Sequence, residues 1–356
     1  MVQNRLSFKH LVLLIGTNPL PNFVVADYFL HSNNKLQTIW LVHSEKNSFQ
    51  AGTLEQAKNL EKLLHKFWEE DHSILKFPLQ KVALSDVSDA NTIHKEIEQK
   101  MLRKWQEEDS FHLNYTGGTK TMATHVYLCL KESKWSQQYS YSYLDANNFR
   151  LVVDDFGVVA DDLRKKVKLG FADLIDLHGF ERKNEDEEEV DEITAQNAYQ
   201  KYISDPKTTS MNAKDGKPFE IYLKNKIKND FGNDFNSGNG ILHNWEIKKP
   251  QWKTHFELDI ILLNGYHLTG ISSTVAHKKD SCKNKGFEVI LRTRQIGGDE
   301  ARAILVTRSN RNQTQLLQQE LVYETGRSQG NILVLGIDDL RNEGLYLRKI
   351  KEFVFD

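Results

Sequence analysis

The sequence lacks several features that would each indicate a class of protein. Its two cysteines, Cys129 and Cys282, lie far apart and lack Cys-x-x-Cys spacing, so we expect neither a disulfide framework nor a zinc site. Proline is scarce, with 6 residues, and we find no internal repeat or low-complexity tract. The formal net charge of -2 argues against a generic basic coat for nucleic acid and leaves such contacts to local patches.

Long hydrophobic runs are also missing near the start of the chain. The first apolar run, residues 11–15, follows charged residues and is too short for a signal segment or a membrane span. We therefore expect a cytoplasmic protein that makes no membrane contact.

The N-terminal half alternates candidate strands with candidate helices. A chain of 356 residues with 39% hydrophobic residues exceeds the usual size of one core, which predicts two domains. Strands separated by helical crossovers predict an α/β fold with a doubly wound parallel sheet in the first domain. The strands are predicted at residues 11–15, 38–42, 79–84 and 111–115, and a closing hairpin at 139–153.

The C-terminal half shows a second α/β pattern. It begins with a predicted helix at residues 218–231 and continues with a hairpin whose turn, Asn264-Gly265, favours a type I′ conformation. Between the halves lies a polar stretch with an acidic cluster at 185–189, typical of a solvated linker. We predict a receptor domain at 1–155, connecting segments at 156–215 and a second domain at 216–356.

Two loops of the first domain are candidates for binding an anion. They are residues 16–21, after the first strand, and 114–121, which contain the sequence TGGTKT before a helix. Adjacent glycines let the backbone approach a ligand, and N–H groups at a helix start, hydroxyls and Lys120 can face phosphate. The spacing fits neither the ATP-binding P-loop nor GxGxxG. The alternative is a tight turn capped by Thr119, with Lys120 in solvent.

This pair of loops resembles the CARF family, the CRISPR-associated Rossmann-fold receptors that bind cyclic oligoadenylates as homodimers. A ring of repeated adenylates presents the same face to both subunits of a two-fold dimer. The resemblance implies cyclic tetra-adenylate as the activator, with a hexa-adenylate ring as the alternative. The implied ring-binding residues are Thr17, Asn18, Pro19, Leu20, Ser44, Tyr115, Thr116, Gly117, Gly118, Thr119 and Lys120.

The second domain offers the residue types of metal-dependent phosphodiester cleavage. That chemistry needs a divalent ion, carboxylates that hold it and usually a lysine. Glu220 lies on the first predicted helix, and the two-residue strand period places Glu257 and Asp259 on one face. The arrangement resembles the PD-(D/E)xK nucleases that accompany CARF domains in type III CRISPR systems, which implies Asp259 and Glu220 as ligands of Mn²⁺ or Mg²⁺. Glu257 is a candidate catalytic residue that is either a second metal ligand or a solvent-facing strand residue.

The expected ExK motif of that fold is absent, because residues 270–274 read GISST. We expect the missing groups on the following helix, where Lys285, Glu288 and Arg292 share one face and Lys283 lies nearby. The alternative is an exposed ladder of ion pairs. A local basic patch for phosphate contacts is formed by Lys278, Lys279, Lys283, Lys285, Arg292 and Arg294.

Together these features predict a ring-activated, metal-dependent nuclease of type III CRISPR antiviral defence. The expected substrates are single-stranded RNA and DNA, with supercoiled DNA as a further candidate. The competing hypothesis is a receptor with a degenerate nuclease domain that binds or slowly cleaves the ring. His255, His267 and His277 have no zinc-binding spacing and are expected at the surface.

Overall fold

The protein is described by a computed structural model that covers residues 6–48, 51–71, 78–135, 139–183, 190–235, 240–251, 253 and 255–356. The chain divides into two compact units. The first comprises Met1–Val167 and Asp176–Gly179, and the second comprises Lys168–Ile175 and Phe180–Asp356. In the described part of the chain, no helix combines the length and apolar composition that crossing a membrane requires.

The first unit is built around a mixed sheet in the order β3-β2-β1-β4-β5-β6-β7. The first five strands in this order are parallel, and β6 and β7 continue the sheet antiparallel. Its strands are β1 (His10–Leu14), β2 (Thr38–Ser44), β3 (Leu79–Leu84), β4 (Phe111–Asn114), β5 (Tyr139–Asp145), β6 (Arg150–Val153) and β7 (Gly157–Ala160). Its helices are α1 (Leu20–Ser32), α2 (Leu54–Glu70), α3 (Ala90–Lys100) and α4 (Lys120–Lys131).

The apolar character of β1 follows from its central position. All five of its residues are buried. Val12 and Leu14 join a core cluster with α3 and α4, whereas α1 and α2 contact β1 and β2. A parallel strand covered in this way reads as a continuous apolar run. The sheet order reverses between β1 and β4, so the predicted doubly wound sheet is confirmed, with a switch point at the two candidate loops.

The second unit contains a sheet in the order β13-β12-β11-β10-β9-β8. The strands from β8 to β11 pair antiparallel, and β11, β12 and β13 pair parallel. The strands are β8 (Glu181–Arg182), β9 (Ile241–Lys248), β10 (His255–Asn264), β11 (His267–Ser273), β12 (Arg302–Val306) and β13 (Ile332–Leu335). The helices are α5 (Phe171–Leu177), α6 (Glu192–Tyr202), α7 (Ala213–Phe231), α8 (Lys279–Gly297), α9 (Arg311–Thr325), α10 (Ile337–Leu340) and α11 (Glu343–Phe355).

Part of the segment interpreted as a linker belongs to this second fold. β8 pairs with β9, and α6 packs on α7 through a buried face formed by Ala195, Ala198, Tyr199 and Tyr202. The helix α7 starts five residues before the predicted position, at Ala213 rather than Pro218, because Asn212 and Asp215 form a capping box. The acidic cluster at residues 185–189 lies outside the described residues.

The helix α8 lies directly on β11 because of small residues at the contact. A Cβ atom added at Gly270 of β11 would overlap the side chain of Thr293 on α8, and one at Gly286 would lie 2.6 Å from Leu321 on α9. Close-packed interiors tolerate such added volume poorly. Gly270 therefore allows the close approach of α8 to β11, and Gly286 allows the close approach of α9 to α8.

We expect Gly270→Ala to destabilise the second unit by about 1–3 kcal/mol, because the added methyl group forces α8 away from β11. Urea denaturation followed by circular dichroism measures this difference. Gly330→Ala is the matched control, since the nearest atom to its Cβ would be 3.9 Å away. Equal midpoints for the two variants would show that α8 can shift without cost.

Candidate functional site

The two candidate loops of the first unit meet at the carboxyl edge of the sheet, because β1 and β4 are parallel neighbours. Gly117 packs against the carbonyl of Leu14, where a Cβ atom would overlap the carbonyl oxygen. A Cβ at Gly16 would lie 3.1 Å from the amide nitrogen of Gly118, whose φ of +77° also favours glycine. The three glycines therefore bring the loop backbones into direct contact.

The loop hydroxyls already have structural partners. Thr116 Oγ1 accepts a hydrogen bond from the Leu144 amide at 2.7 Å, and Thr119 Oγ1 caps α4 by accepting from the Met122 amide at 3.1 Å. Thr119 and Lys120 are nevertheless exposed, and a side-chain cap leaves other N–H groups of the first helical turn available. The edge therefore presents a helix N-terminus and an ammonium group to an anion.

The other predicted ring-binding residues differ in their exposure. Thr17 is exposed, whereas Pro19 and Leu20 are buried at the start of α1. Asn18 Oδ1 accepts from the Leu20 amide at 3.1 Å. Ser44 is buried, and its amide donates to Thr53 Oγ1 at 3.0 Å. These hydrogen bonds hold the chain in place at the carboxyl edge of the sheet.

Tyr115 is turned toward the hairpin of β5 and β6. Its hydroxyl donates to Asp154 Oδ1 at 2.7 Å, and its ring lies 6.0 Å from that of Tyr143. Burial, followed by the Asp154 carboxylate, raises the pKa of Tyr115 well above its usual range. Tyr115 therefore stays a neutral donor that links the loop to the hairpin.

Asn22 is a supporting residue that sequence reasoning missed. It is fully buried on α1, and its Nδ2 donates to the Leu14 carbonyl at 2.9 Å. Its Oδ1 has no hydrogen-bond partner within the described residues and faces the backbone of Gly117. The signal available in the sequence was an amide in the first turn of an otherwise apolar helix.

In the second unit, the buried carboxyl group of Asp259 and the half-buried one of Glu220 meet through two adjacent serines. Ser272 Oγ donates to Asp259 Oδ2 at 2.5 Å, and the Ser273 amide donates to the same oxygen at 3.0 Å. Ser273 Oγ donates to Glu220 Oε1 at 2.9 Å. Asp259 comes from β10, Glu220 from α7 and the serines from β11, at the positions where the sequence lacks ExK. Sequence reasoning missed both serines as donors.

Both carboxyl groups of this pair have raised pKa values. Burial, and then the neighbouring Asp259, raises the pKa of Glu220 to about 8 from 4.5. Burial likewise raises the pKa of Asp259, while Lys285 opposes that rise. Burial alone lowers the pKa of the Lys285 amine, but the carboxylates of Asp259 and Glu288 outweigh it and raise the pKa. Lys285 on α8 is thus the cation that faces the pair.

Glu257 lies beside this pair at an irregularity in the sheet. The pairing of β9 with β10 is interrupted opposite Asp259, where Asn244 has a φ of +56°. With its amide nitrogen toward β10, Asn244 donates to Glu257 and accepts from Lys217 Nζ at 3.3 Å. Glu257 is nevertheless exposed as a residue, and partial desolvation of its carboxyl group, followed by Asp259, raises its pKa.

The remaining residues predicted on α8 separate into different surroundings. Glu288 pairs with Lys285 at 3.4 Å. Lys283 instead faces α9, where it pairs with Glu324 at 2.6 Å. The guanidinium of Arg292 lies over the ring of Phe256. The structure therefore brings Lys285 and Glu288 to the carboxylates and directs Lys283 elsewhere.

Two further expectations are changed by the structure. The predicted basic patch is partly neutralised, because Lys279 pairs with Glu320 and Arg294 with Asp299, both at 2.5 Å. His267 was expected at the surface but is 3% exposed, with Nε2 3.0 Å from the Glu300 carbonyl. The expectation for His267 was wrong because the hairpin strand β11 is buried along its whole length.

The donor set suits a hard divalent cation held by few protein ligands. No group of three or more His, Cys, Asp or Glu side chains in the described ranges has an arrangement that could hold a metal ion. Mg²⁺, however, is commonly bound through one or two carboxylates, with water and substrate phosphate completing its shell. Asp259 and Glu220 each keep one oxygen outside the serine hydrogen bonds, and their mutual repulsion favours a positive ion. The residues therefore fit Mn²⁺ or Mg²⁺.

Comparison with known proteins supports the fold of both units. Residues 10–169 match the family model described as the Card1 CARF domain, and the first unit has that Rossmann-like fold. No curated protein sequence gives a significant match.

Solved structures resemble the chain over nearly its whole length. A protein from Vibrio cholerae has a TM-score of 0.66 at 14% identity, over 97% of this chain and 98% of that one. Can2 from Sulfobacillus thermosulfidooxidans, solved in complex with cyclic tetra-adenylate, has a TM-score of 0.63 at 15% identity, over 98% and 100%. A type III CRISPR defence DNA nuclease activated by cyclic oligoadenylate has a TM-score of 0.52 at 15% identity, over 85% and 46%. At these identities the likeness shows the fold.

The raised pKa of Glu220 predicts how stability depends on pH. Between its unfolded pKa, about 4.5, and its folded pKa of about 8, the folded protein retains a proton that the unfolded chain releases. The retained proton on Glu220 contributes to the free energy of unfolding. This contribution is fully present below about pH 4.5 and is lost as the pH rises through about 8. We expect Glu220→Gln, which mimics the protonated carboxyl, to be about 2 kcal/mol more stable than wild type near pH 9 in cation-free buffer, and equally stable below about pH 4.5.

Urea denaturation across this pH range measures the difference. Glu352→Gln, on an exposed surface of α11, is the control and should follow the wild-type curve. Parallel curves for wild type and Glu220→Gln would show that the pKa of Glu220 is the same in the folded and unfolded protein.

Proposed function

We propose that the protein is a metal-dependent nuclease of type III CRISPR defence that a cyclic oligoadenylate activates. The observation that carries this proposal is the pairing of buried Asp259 with half-buried Glu220, facing Lys285, in a chain whose residues 10–169 match a CARF domain. The proposal draws further support from Can2 and from the type III CRISPR nuclease, whose descriptions name cyclic oligoadenylates.

The first unit is the receptor for the ring in this proposal. Phosphates of cyclic tetra-adenylate approach the backbone of Gly117 and Gly118, the N-terminus of α4 and the ammonium of Lys120. A helix N-terminus favours anions through its free N–H groups and its dipole. Two copies of the chain, related by a two-fold axis, present these groups to both halves of the ring. Ring binding activates the protein if the ring binds the active arrangement more tightly than the inactive one.

The second unit carries the chemistry. A bound Mn²⁺ or Mg²⁺ supplies Lewis-acid stabilisation of the phosphate and lowers the pKa of a bound water. Asp259 and Glu220 hold that charge, and the serine donors fix the orientation of both carboxylates. The Lys285 ammonium lies on the same side and stabilises negative charge that develops on a scissile phosphate. Glu288 holds Lys285 in place at 3.4 Å.

A second function is favoured by one specific observation. The stretch Ser272-Ser273-Thr274 provides neither the carboxylate nor the lysine of the ExK motif. In that case the second unit is a degenerate nuclease, and the protein is a receptor that binds the ring or cleaves it slowly. The two functions differ in whether nucleic acid is cut when the ring is bound.

The deciding experiment uses labelled single-stranded RNA, single-stranded DNA and supercoiled plasmid, with Mn²⁺ or Mg²⁺, with and without cyclic tetra-adenylate. We expect cleavage that requires the ring and that Asp259→Asn reduces by at least about 100-fold, because one carboxylate of the cation site is lost. Ring binding by wild type without any cleavage would support the receptor function instead.

The assignment of the lysine is tested by a matched pair on α8. Lys285→Ala should lower kcat by about 100-fold, because the ammonium that faces the carboxylates is removed. Lys283→Ala should retain activity within about twofold, because its ammonium pairs with Glu320 and Glu324 of α9. The reverse ranking would place the working lysine at residue 283.

Ring binding has its own test in the first unit. Lys120→Ala should weaken the affinity for cyclic tetra-adenylate by about 10-fold, through loss of one charge-assisted phosphate contact. Lys35→Ala, an exposed lysine that precedes β2 and so lies at the opposite edge of the sheet, should bind like wild type. Isothermal titration calorimetry measures both, and equal affinities would exclude Lys120 from the ring site.

A further inference from the structure

A buried arginine holds the segment that follows α6. Arg308, just after β12, is 2% exposed. Its Nε donates to the Tyr202 carbonyl at 3.1 Å, and its Nη2 lies 2.9 Å from the Thr209 carbonyl and 3.2 Å from that of Ser204. Burial of a guanidinium is costly unless its donors are satisfied. Through these hydrogen bonds, Arg308 links the end of α6 and the segment after it to the end of β12.

Tyr202, which Arg308 holds, contacts both elements that carry the carboxylate site. Its ring stacks on Phe219 of α7, with centroids 3.7 Å apart and planes at 5°. Its hydroxyl donates to the Thr274 carbonyl at 2.7 Å and lies 3.0 Å from the Val306 carbonyl. One fully buried side chain thus links α7, β11 and β12.

Both contacts are one residue away from the site. Phe219 precedes Glu220, and Thr274 follows Ser273, whose amide and hydroxyl donate to Asp259 and Glu220. A shift of the Tyr202 ring changes the rotation of α7, and a shift of its hydroxyl changes the end of β11. The distance between the two carboxylates depends on both.

We infer that Tyr202, held by Arg308, is a positioning residue for the carboxylate site, and that α6, which lies in the stretch interpreted from sequence as a linker, is a working part of that site. The expected effect on catalysis rests on the proposed function. The positioning of Glu220 and Ser273 by Tyr202 does not. Residues behind a metal site that orient its ligands commonly contribute about 10-fold or more to metal affinity or activity.

The chain offers a closely matched control on the same helix. Tyr199 lies one turn before Tyr202, stacks on Tyr222 of α7 with centroids 4.3 Å apart, and donates its hydroxyl to the Leu340 carbonyl at 2.8 Å. Tyr199 therefore has the same kind of stacking and hydrogen bond, but its acceptor is remote from β11.

The test compares Tyr202→Phe with Tyr199→Phe in the full chain. Calorimetric titration with Mn²⁺ alone should show a dissociation constant about 10-fold higher for Tyr202→Phe than for Tyr199→Phe, which should match wild type. In ring-activated cleavage, kcat of Tyr202→Phe should fall by a similar factor with KM for the RNA unchanged within about twofold. Arg308→Lys, which loses the fork but keeps the charge, should change both quantities in the same direction.

Hydrogen exchange separates the failure of this inference from the failure of the proposed function. Tyr202→Phe should speed amide exchange at Glu220 and Ser273, whereas Tyr199→Phe should not. Equal exchange, equal Mn²⁺ affinity or equal kcat in the two variants would overturn the positioning role. If wild type neither binds Mn²⁺ nor cuts nucleic acid, the proposed function fails, and the exchange comparison still decides whether Tyr202 positions these residues.

Discussion

The side-by-side placement of two poorly solvated carboxyl groups, Asp259 and Glu220, is the constraint around which the second unit is arranged. Burial raises the pKa of Asp259, and burial followed by the neighbouring Asp259 raises the pKa of Glu220. Such an arrangement persists only where donors and cations offset the cost of desolvation. Ser272 and Ser273 supply hydroxyl and amide donors, and Lys285 supplies positive charge from a helix that glycines hold against the sheet. The site therefore depends as much on packing as on its charged groups.

In the first unit, close packing likewise determines the position of the candidate site. There, Gly16, Gly117 and Gly118 bring two loops together at the point where the sheet order reverses, and in the proposed function a ligand approaches the backbone at this point. Asn22 fixes the carbonyl of Leu14 beneath them. In both units, residues without chemistry of their own determine where the chemically active groups lie.

The sequence predicted the elements whose signals are local. The apolar run of β1, the paired glycines and Asp259 before the Asn264-Gly265 turn each carry their information within a few residues. The deeper parts of the site could not be predicted in this way, because they depend on contacts between distant segments. Helical periodicity could not decide whether Lys283 or Lys285 faces the carboxylates, since that depends on how α8 sits on β11. The serines at the ExK positions looked like losses, and their role as donors appears only when Asp259 and Glu220 are placed beside them.

The packing of α6 has a consequence for the modularity of the chain. The polar composition of residues 181–209 is typical of a linker. Within this range, however, β8 adds a strand to the second sheet and α6 contributes side chains to the core of the second unit. A recombination event that joined the second unit to another N-terminal domain at residue 216 would leave behind Tyr202 and the carbonyls around Arg308. A second unit that is transferred intact between proteins must therefore include the chain from Phe180 onward. A boundary placed at residue 216 on composition alone would divide it.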